Sequence, residues 1–388
     1  MARDGSLFDL AVVGGSFAGL VAARTAAMRG ARTVVLDRLA APGARVSTTG
    51  ILVKEAAREI DIPHELTRRV DGVRLYAPSL ESVDLSSPGY FFLTTDTAAL
   101  LRWLASEAER AGAVLRYGSR FEGAVRHDGV FQFKGHDMTA RYILGADGAR
   151  SAVAACFGLG CNAQFLTGLE IEYEGLTKAD PHVLHCFLDS RLAPGYIAWV
   201  SPGPSLTQVG VAAGHGRRPA LADFLRKTEP LFKYSEARPV ERRCGRIPSG
   251  GLVSPWATAG VMLVGDAAGQ VSPATGGGIR LAFRYGRSAA HAICDHLLHA
   301  GPAPETALAA EMPRFGLKKA LRFGLDLAPP NALYDVALGT WLMRHLARRL
   351  YFHRGGSGGV SEASFERRMA APGHSLSSPG LGRGGREA

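Results

Sequence analysis

The first 37 residues carry the feature that most restricts how this chain can fold. A short apolar run at residues 7–13 stops at Gly14. Residues 17–29 then carry Ala, Leu and Val at helical density, and a second apolar run at 32–36 ends at Asp37. This order predicts a strand, a glycine turn, a helix and a second strand. Such a β-turn-α-β unit favours a Rossmann-type α/β fold.

The turn itself, residues 14–19 (GGSFAG), fits the pattern G-x-G-x-x-G with Ser16 in the place of the middle glycine. Gly14 permits the tight turn, the small Ser16 lets the backbone approach a pyrophosphate, and Gly19 lets the helix pack on the sheet. The helix N-terminus offers free N–H groups and a positive dipole to the phosphates. Asp37, 18 residues after Gly19, stands where an acid binds ribose hydroxyls. The sequence therefore predicts a dinucleotide site.

Two other interpretations of this turn carry less weight. A glycine-rich turn can simply pack a helix on a sheet, but here the strand, the helix and the terminal acid are all present. A nucleophile elbow would use Ser16 as its serine, yet that motif needs a glycine where Ala18 stands.

Two more glycine-containing motifs follow apolar runs. Residues 145–151 (GADGARS) could on their own be only a turn and a helix cap. Residues 265–269 (GDAAG) follow a buried strand at 260–264 and lead into residues 273–279 (PATGGGI). An acid at a strand end can bind a chain of hydroxyls, and three glycines that open a helix let a ring system lie against bare backbone N–H groups. We therefore expect this third motif to contact a ligand.

The remainder of the chain predicts two kinds of structure. Residues 97–111 and 278–299 have helical patterns, whereas residues 165–250 contain short β-rich runs broken by Gly and Pro, which predict an antiparallel sheet. We predict a cofactor domain from residues 1–78, 97–164 and 256–330, a substrate domain from 79–96 and 165–255, a C-terminal amphipathic helix over 331–354 and a disordered tail over 355–388.

Together the three motifs resemble the FAD-binding set of the geranylgeranyl reductase family, within the flavoprotein group that includes the aromatic hydroxylases. Residues 191–213 are similar to that family's G-Y-x-x-W-V-x-P strand pair, and residues 246–250 (RIPSG) also resemble that family. The resemblance implies an α/β fold with a Rossmann-type FAD-binding domain of three-layer β/β/α architecture. It also implies an antiparallel β-sheet substrate domain.

The resemblance further implies roles for individual residues. The glycine turn would cradle the FAD pyrophosphate, Asp37 would hold the adenosine ribose, and Asp266 would bind the ribitol. Asp147 would support the phosphate region. The residues expected to contact FAD are Gly14, Gly15, Ser16, Phe17, Ala18, Gly19, Asp37, Arg38, Arg45, Ser47, Thr48, Asp147, Gly148, Gly265, Asp266, Pro273, Gly276, Gly277, Gly278 and Ile279.

Members of this family often carry a cysteine in the segment matched here by residues 45–50 (RVSTTG). This chain has Ser47 in that segment, and Ser47 becomes the candidate catalytic residue near the reacting face of the flavin. Tyr196 and Trp199 are the candidates for the substrate pocket, with ordinary packing in the sheet as the alternative for both.

The activity implied by the resemblance is reduction of isolated C=C bonds in an isoprenoid chain by hydride transfer from reduced FAD. NAD(P)H or a ferredoxin-like protein would supply the electrons. An FAD-dependent monooxygenase or halogenase is the alternative, although halogenases carry W-x-W-x-I-P and residues 197–202 (IAWVSP) keep only the second Trp and the Pro. A flavin-binding electron carrier or sensor is a third alternative, but it would not need the large middle sheet.

Charge and cysteine usage bear on partners and location. The five cysteines form no CxxC pair and no long apolar stretch precedes the first strand, so a cytoplasmic protein is expected. The net charge is +10, and within residues 336–354 leucines recur every four residues from Leu338 to Leu350, with Arg344, Arg348, Arg349 and Arg354 among or just after them. This spacing predicts a basic amphipathic helix that contacts an anionic membrane peripherally, with docking onto the protein itself as the alternative. No recognised motif supports nucleic-acid binding.

His291, Asp295 and His299 fall on one face of the predicted helix 278–299, which is a spacing that metal sites use. A closed site needs about four ligands, and no second cluster completes the set. Histidines near a helix C-terminus are also favoured by the helix dipole. We therefore expect no metal.

Overall fold

The computed structural model describes residues 7–352, so the predicted tail at 355–388 lies outside the described residues. The strands are β1 (Leu7–Val13), β2 (Thr33–Leu36), β3 (Ile51–Val53), β4 (Thr67–Val70), β5 (Gly72–Tyr76), β6 (Ser82–Ser86), β7 (Phe92–Thr95), β8 (Val114–Arg116), β9 (Ala124–His127), β10 (Val130–Phe133), β11 (Thr139–Gly145), β12 (Phe165–Glu174), β13 (Val183–Phe187), β14 (Ala198–Pro202), β15 (Thr207–Ala213), β16 (Arg238–Pro248), β17 (Ala257–Thr258) and β18 (Val261–Leu263). The helices are α1 (Phe17–Met28), α2 (Thr97–Arg110), α3 (Ala152–Cys156), α4 (Leu221–Phe232), α5 (Ile279–His299), α6 (Pro304–Ala309), α7 (Gly316–Asp326), α8 (Asn331–Leu338) and α9 (Trp341–Tyr351). The predicted strand at 7–13 and the predicted long helices at 97–111 and 278–299 are confirmed as β1, α2 and α5.

A sheet with a parallel centre forms the first half of the architecture. Strand β1 lies between β2 and β11, and β11 also pairs with β18, all in parallel. Val12 pairs with Val35 on one side and with Leu144 on the other. These strands are almost entirely buried apolar residues, as expected where both faces of a parallel sheet are covered. Their carboxyl ends therefore meet at one edge.

Helices and a hairpin cover the two faces of this sheet. Helix α1 packs against α5 and α2, with the rings of Phe17 and Phe283 in edge-to-face contact at 5.6 Å. Ala11 and Val13 of β1 pack in one buried cluster with Phe131 and Phe133, which lie on strand β10 of the β9–β10 hairpin. The result is the three-layer β/β/α arrangement of the predicted fold class.

The second half is a seven-stranded sheet in the order β16-β12-β15-β14-β13-β5-β6. Its pairs are antiparallel except for β13 with β5. Helix α4 covers one face, where Phe224 and Phe232 pack with Val209 and Val211. Strand β5 belongs to this sheet, although the predicted boundary at residue 78 assigns it to the cofactor domain. The domain boundaries otherwise stay predictions.

The C-terminal segment differs from the single helix predicted over 331–354. The described part forms two helices, α8 and α9, separated by Gly339 and Thr340. Glycine costs about 1 kcal/mol relative to alanine inside a helix, which weakens a continuous helix at this point. Residues 353 and 354 lie outside the described residues. Among residues 7–352, no helix is both long enough and apolar enough to cross a membrane.

The packing of α1 on α5 predicts a stability difference between two glycine variants. A Cβ atom at Gly286 in α5 would overlap the carbonyl oxygen of Ala18 in α1, whereas one at Gly324 in α7 would meet nothing within 4 Å. We expect Gly286→Ala to lower the free energy of unfolding by about 1–3 kcal/mol, the usual cost of overpacking. Gly324→Ala should leave it unchanged or raise it. Thermal unfolding of both variants tests this, and equal melting temperatures would contradict it.

Candidate functional site

The three motifs lie side by side at the carboxyl edge of the parallel sheet. The first follows β1, the second follows β11, and the third follows β18. The Ala146 backbone N–H donates to the Val13 carbonyl oxygen at 2.8 Å, and that of Val264 donates to Gly145 at 2.9 Å. The structure thus brings together residues that are about 130 and 250 positions apart in the sequence.

Close backbone approach explains the glycines of the first motif. Gly14 has a φ of +110°, and a Cβ there would overlap the Ala146 carbonyl group. A Cβ at Gly19 would overlap the carbonyl oxygen of Gly14. Ser16 has an extended backbone and precedes α1, so the first N–H groups of that helix lie at this edge. Phe17 and Ala18 are buried within the helix start.

Asp37 closes the turn from the end of β2. Its Oδ2 accepts a hydrogen bond from the Gly15 N–H at 2.6 Å, and its Oδ1 accepts one from Leu39 at 2.7 Å. The ring of Tyr117 lies 3.3 Å from where a Gly15 Cβ would be. Its hydroxyl oxygen is buried without a hydrogen-bond partner among the described residues, and burial raises the pKa of this phenol. Sequence reasoning missed Tyr117, because no motif includes it.

The second motif caps a short helix and also leaves a polar atom unused. Oδ2 of Asp147 accepts from Ala152 at 2.6 Å and Val153 at 3.1 Å, and Ser151 caps the same helix, α3. Oδ1 of Asp147 is buried and unpartnered within residues 7–352. Burial raises the pKa of this carboxyl group. Gly148 beside it has a φ of +83°.

Asn162 joins the second motif to the third. Its Nδ2 donates to the carbonyl oxygens of Ala149 at 3.2 Å and Asp266 at 2.8 Å, while its Oδ1 is buried and finds no partner in the described part of the chain. A cavity of about 240 Å³ opens here. The cavity is lined by Ala149, Arg150, Ser151, Cys161, Asn162 and Ala267. Asn162 belongs to no motif, so the sequence carried no signal for it.

Asp266 carries the acid of the third motif in a short 3₁₀ turn, Gly265–Ala268. Burial raises the pKa of its carboxyl group to about 6. The buried amide of Gln270 fixes the turn, because its Oε1 accepts from the Gly265 N–H at 2.7 Å. Gln270 is a third residue that sequence reasoning missed.

The glycine loop before α5 touches the antiparallel sheet. Gly276 has a φ of +64°, and a Cβ there would lie 2.7 Å from the Tyr196 hydroxyl oxygen. That hydroxyl donates to the carbonyl oxygen of Thr275. Gly278 and Ile279 begin α5, so the free N–H groups of this helix start beside Asp266. Gly277 is exposed, and Pro273 is buried.

The segment around Ser47 lies against the same sheet. A Cβ at Gly245 of β16 would lie 2.7 Å from the Ser47 carbonyl oxygen. Ser47 itself is exposed, and Thr48 is half-buried. Trp199 is buried, and its indole ring lies so close over Gly210 that a Cβ there would meet it. Arg38 and Arg45 are both exposed.

The histidine face of α5 lies away from this edge and forms a different contact. The Arg29 guanidinium donates to Asp295 Oδ1 at 2.6 Å and approaches His291 Nδ1 at 3.2 Å. Within residues 7–352, no group of three or more His, Cys, Asp or Glu side chains is arranged to hold a metal ion.

The edge fits a dinucleotide on its own geometry. Two helix N-termini and an acid at the end of β2 lie where phosphates and a ribose need partners. At this edge, three buried polar atoms lack partners among the described residues. They are the Tyr117 hydroxyl oxygen, Asp147 Oδ1 and Asn162 Oδ1. Since buried polar atoms are almost always hydrogen-bonded, such a group of orphans indicates a ligand.

Comparisons with known proteins identify the ligand. The FAD binding domain family matches residues 8–308. Digeranylgeranylglycerophospholipid reductase 1 of Methanopyrus kandleri is 31% identical over 301 residues, which cover 73% of this chain and 79% of that protein. Digeranylgeranylglycerophospholipid reductase 2 of Methanosphaera stadtmanae is 29% identical over 303 residues, covering 72% and 75%.

Solved structures share the fold. A geranylgeranyl bacteriochlorophyll reductase-like protein from Thermoplasma acidophilum superposes with a TM-score of 0.76 at 22% identity, covering 89% of this chain and 97% of that one. The myxobacterial chondrochloren halogenase CndH, an FAD-dependent halogenase, gives a TM-score of 0.64 at 20% identity, covering 87% and 86%.

The family match and the relatives agree with the three motifs at the sheet edge, and they make this protein an FAD-dependent oxidoreductase. The chain belongs to the geranylgeranyl reductase family of FAD-dependent oxidoreductases.

Proposed function

We propose that this protein reduces isolated C=C bonds in an isoprenoid chain. The relatives named as digeranylgeranylglycerophospholipid reductases support this substrate class. The observation that carries the proposal is the apolar half of the seven-stranded sheet. Beyond Trp199, strands β13 and β5 present Leu184, Val73 and Leu75 to one buried cluster. Leu338, Ala347 and Phe352 of the C-terminal segment complete the same cluster. An isoprenoid chain that takes their place against the sheet would gain about 0.8 kcal/mol per buried CH₂.

In this proposal, different residues of the sheet edge bind different parts of FAD. The turn at 14–19 and the start of α1 hold the pyrophosphate, with Asp147 and Gly148 beside it. Asp37 holds the adenosine ribose, and Asp266 takes hydrogen bonds from the ribitol hydroxyls. The loop at 276–279 and the segment around Ser47 bracket the isoalloxazine ring. Bound FAD in its reduced form supplies the hydride.

The apolar half of the seven-stranded sheet, with Leu184, Val73 and Leu75, is called the apolar wall below, and it has two functions in this reaction. It holds the chain so that one C=C bond faces the flavin, and it keeps water from the reacting atoms. Tyr196, anchored to the glycine loop, and Trp199, anchored to the sheet, mark the end of the wall nearest the cofactor edge. Either NAD(P)H or a ferredoxin-like donor would return electrons to the flavin.

The buried carboxyl group of Asp266 leads to a prediction about stability and FAD binding. Burial raises the pKa of Asp266 to about 6, so the folded FAD-free protein favours the protonated carboxyl group. Its contribution to the free energy of unfolding is complete below about pH 4 and is lost as the pH rises through about 6. Asp266→Asn should therefore raise the melting temperature of the FAD-free protein above pH 7 and change it little at pH 4. The same variant should weaken FAD binding by about 1.5–3 kcal/mol, roughly ten- to a hundredfold in Kd, because charge-assisted hydrogen bonds are lost.

The matched control for Asp266 is Asp128→Asn. The Asp128 side chain is 88% exposed, in the turn between β9 and β10, so this variant should bind FAD like the unmodified protein. Fluorescence titration of the FAD-free protein measures both dissociation constants. An Asp266→Asn affinity equal to that of the control would remove Asp266 from the proposed site.

The proposed reaction itself is tested by reoxidation of the flavin. We expect anaerobically reduced holoenzyme to be reoxidised by a polyprenyl alkene, with products two mass units heavier per reduced bond. The fold is shared with an FAD-dependent halogenase, so oxygen chemistry is the outcome to separate. Reoxidation by O₂ only, with products that gain one oxygen atom, would refute the reductase proposal.

We also propose that the C-terminal helices contact a membrane surface peripherally. Leu317 and Phe323 of α7 and Trp341 and Leu346 of α9 are exposed, and Lys318, Lys319, Arg344, Arg348 and Arg349 are exposed near them in sequence. Exposed large apolar side chains interleaved with basic ones suit an anionic lipid surface. A lipid-derived substrate would then be taken up where it resides.

This membrane contact predicts a binding difference between two double variants. Phe323→Ser with Trp341→Ser removes side chains that are 71% and 75% exposed. Each loses roughly 1.5–3 kcal/mol of burial in lipid, so co-sedimentation with anionic vesicles should fall about tenfold or more. The control, Met28→Ser with Val240→Ser, removes exposed apolar side chains elsewhere and should sediment like the unmodified protein. Equal sedimentation of both double variants would exclude these side chains from membrane binding and favour helices that only dock onto the protein itself.

A further inference from the structure

A buried group of charged side chains lies on the half of the seven-stranded sheet opposite its apolar wall. Glu170 and Glu172 of β12 are 6% and 5% exposed, and Arg243 of β16 is 9% exposed. Gln208 of β15 reaches Glu172 Oε1 at 3.4 Å. Burying a charge costs free energy unless the charge is paired, so the contacts of each group decide whether it can stay ionised.

Arg243 donates hydrogen bonds to two carboxylates but not to a third. Its Nη2 donates to Glu172 Oε2 and its Nε donates to Glu241 Oε2, both at 2.7 Å. Its Nη1 lies 3.8 Å from Glu170 Oε1, beyond hydrogen-bond range. One guanidinium therefore faces three carboxyl groups, and Glu170 is the one without a close cation.

The contacts of Glu170 Oε2 are with neutral groups. The Thr49 hydroxyl lies 2.6 Å from this oxygen, and the Trp199 indole N–H donates to it at 3.1 Å. An indole can only donate, whereas a hydroxyl can donate or accept. Burial raises the pKa of Glu170, against the opposing effects of Thr49, Trp199 and Arg243, and nearby Glu172 raises it further.

An ionised Glu170 would accept from both Thr49 and Trp199, but burial without a close cation disfavours the ionised form. In the neutral form, Oε2 is the oxygen on which the proton finds an acceptor. A proton on Oε1 would point toward Arg243 Nη1, which is 3.8 Å away and offers only N–H groups, so it would find no acceptor there. A proton on Oε2 can be donated to Thr49 Oγ1, while the same oxygen still accepts from Trp199 and Oε1 faces the guanidinium. The Thr49 hydrogen is then free for another acceptor.

We propose that Glu170 holds a proton on Oε2, donates it to Thr49, and through Thr49 supplies the proton of the reduction. Thr49 lies two residues beyond Ser47, in the segment that brackets the flavin in the proposed function, on which this last step rests. Saturating a C=C bond takes a hydride on one carbon and a proton on the other. The hydride brings its electron pair from the reduced cofactor. Thr49 gives the proton and takes that of Glu170, which is left as a carboxylate facing Arg243 and regains a proton from water.

The position of the proton is tested by infrared spectroscopy of the oxidised holoenzyme at neutral pH, without substrate. We expect a carboxylic-acid C=O band that is absent from Glu170→Gln and present in Glu174→Gln, a control on the same strand whose side chain is 53% exposed. Thr49→Val should shift the band, because its hydrogen-bond acceptor is lost, and Thr49→Ser should leave it in place. No band specific to Glu170, or a band unmoved by Thr49→Val, overturns the proposal.

The transfer step is tested by anaerobic single-turnover reoxidation of the reduced variants with a polyprenyl alkene. We expect Glu170→Gln and Thr49→Val to react at least about tenfold more slowly, and Thr49→Ser to recover the rate, with unchanged FAD content showing that the variants fold. Unchanged rates in the first two variants overturn the proton supply. If the unmodified enzyme is not reoxidised by alkenes, the proposed function and the transfer step both fail, and the infrared result still decides where the proton lies.

Discussion

The close approach of the strand ends at Gly14 is the constraint on which the cofactor site depends. Gly14 lies so near the carbonyl group of Ala146 that a side chain could not be placed between them. The hydrogen bond from Ala146 to Val13 then sets the second motif beside the first, and Gly145 receives the N–H of Val264 in the same way. Each motif is a turn of its own, and the parallel pairing of β1, β11 and β18 makes them one surface.

A second set of contacts ties this edge to the seven-stranded sheet. The Tyr196 hydroxyl bonds to Thr275 in the glycine loop, and the backbone of Ser47 lies against Gly245 of β16. The first contact fixes the seven-stranded sheet against the glycine loop, and the second fixes it against the segment around Ser47. In the proposed site, these contacts would set how closely a bound chain approaches the cofactor.

The sequence predicts what short-range patterns determine and misses what the tertiary structure brings together. The strand at β1 and the helices α2 and α5 follow from periodicity, and the FAD motifs follow from glycines and acids at strand ends. Tyr117 and Asn162 have no pattern of their own, because their neighbours Gly15 and Asp266 lie far along the chain. Gln270 bonds to Gly265, only five residues away, but no motif includes it. The break at Gly339 was missed because the leucine spacing continues across it. The roles of individual residues toward FAD stay predictions.

The two halves of the seven-stranded sheet have opposite character, and Trp199 lies on the border between them. On one side are the apolar side chains of β13 and β5, and on the other are Glu170 and Arg243. An apolar substrate alone would not require buried charge, which costs free energy that hydrophobic packing would not. The saturation of a double bond, however, requires a proton as well as a hydride. A neutral carboxylic acid next to an apolar wall can hold that proton in place during the reaction and regain one from water afterwards, which gives the charged half of the sheet a purpose in a reaction on hydrocarbon.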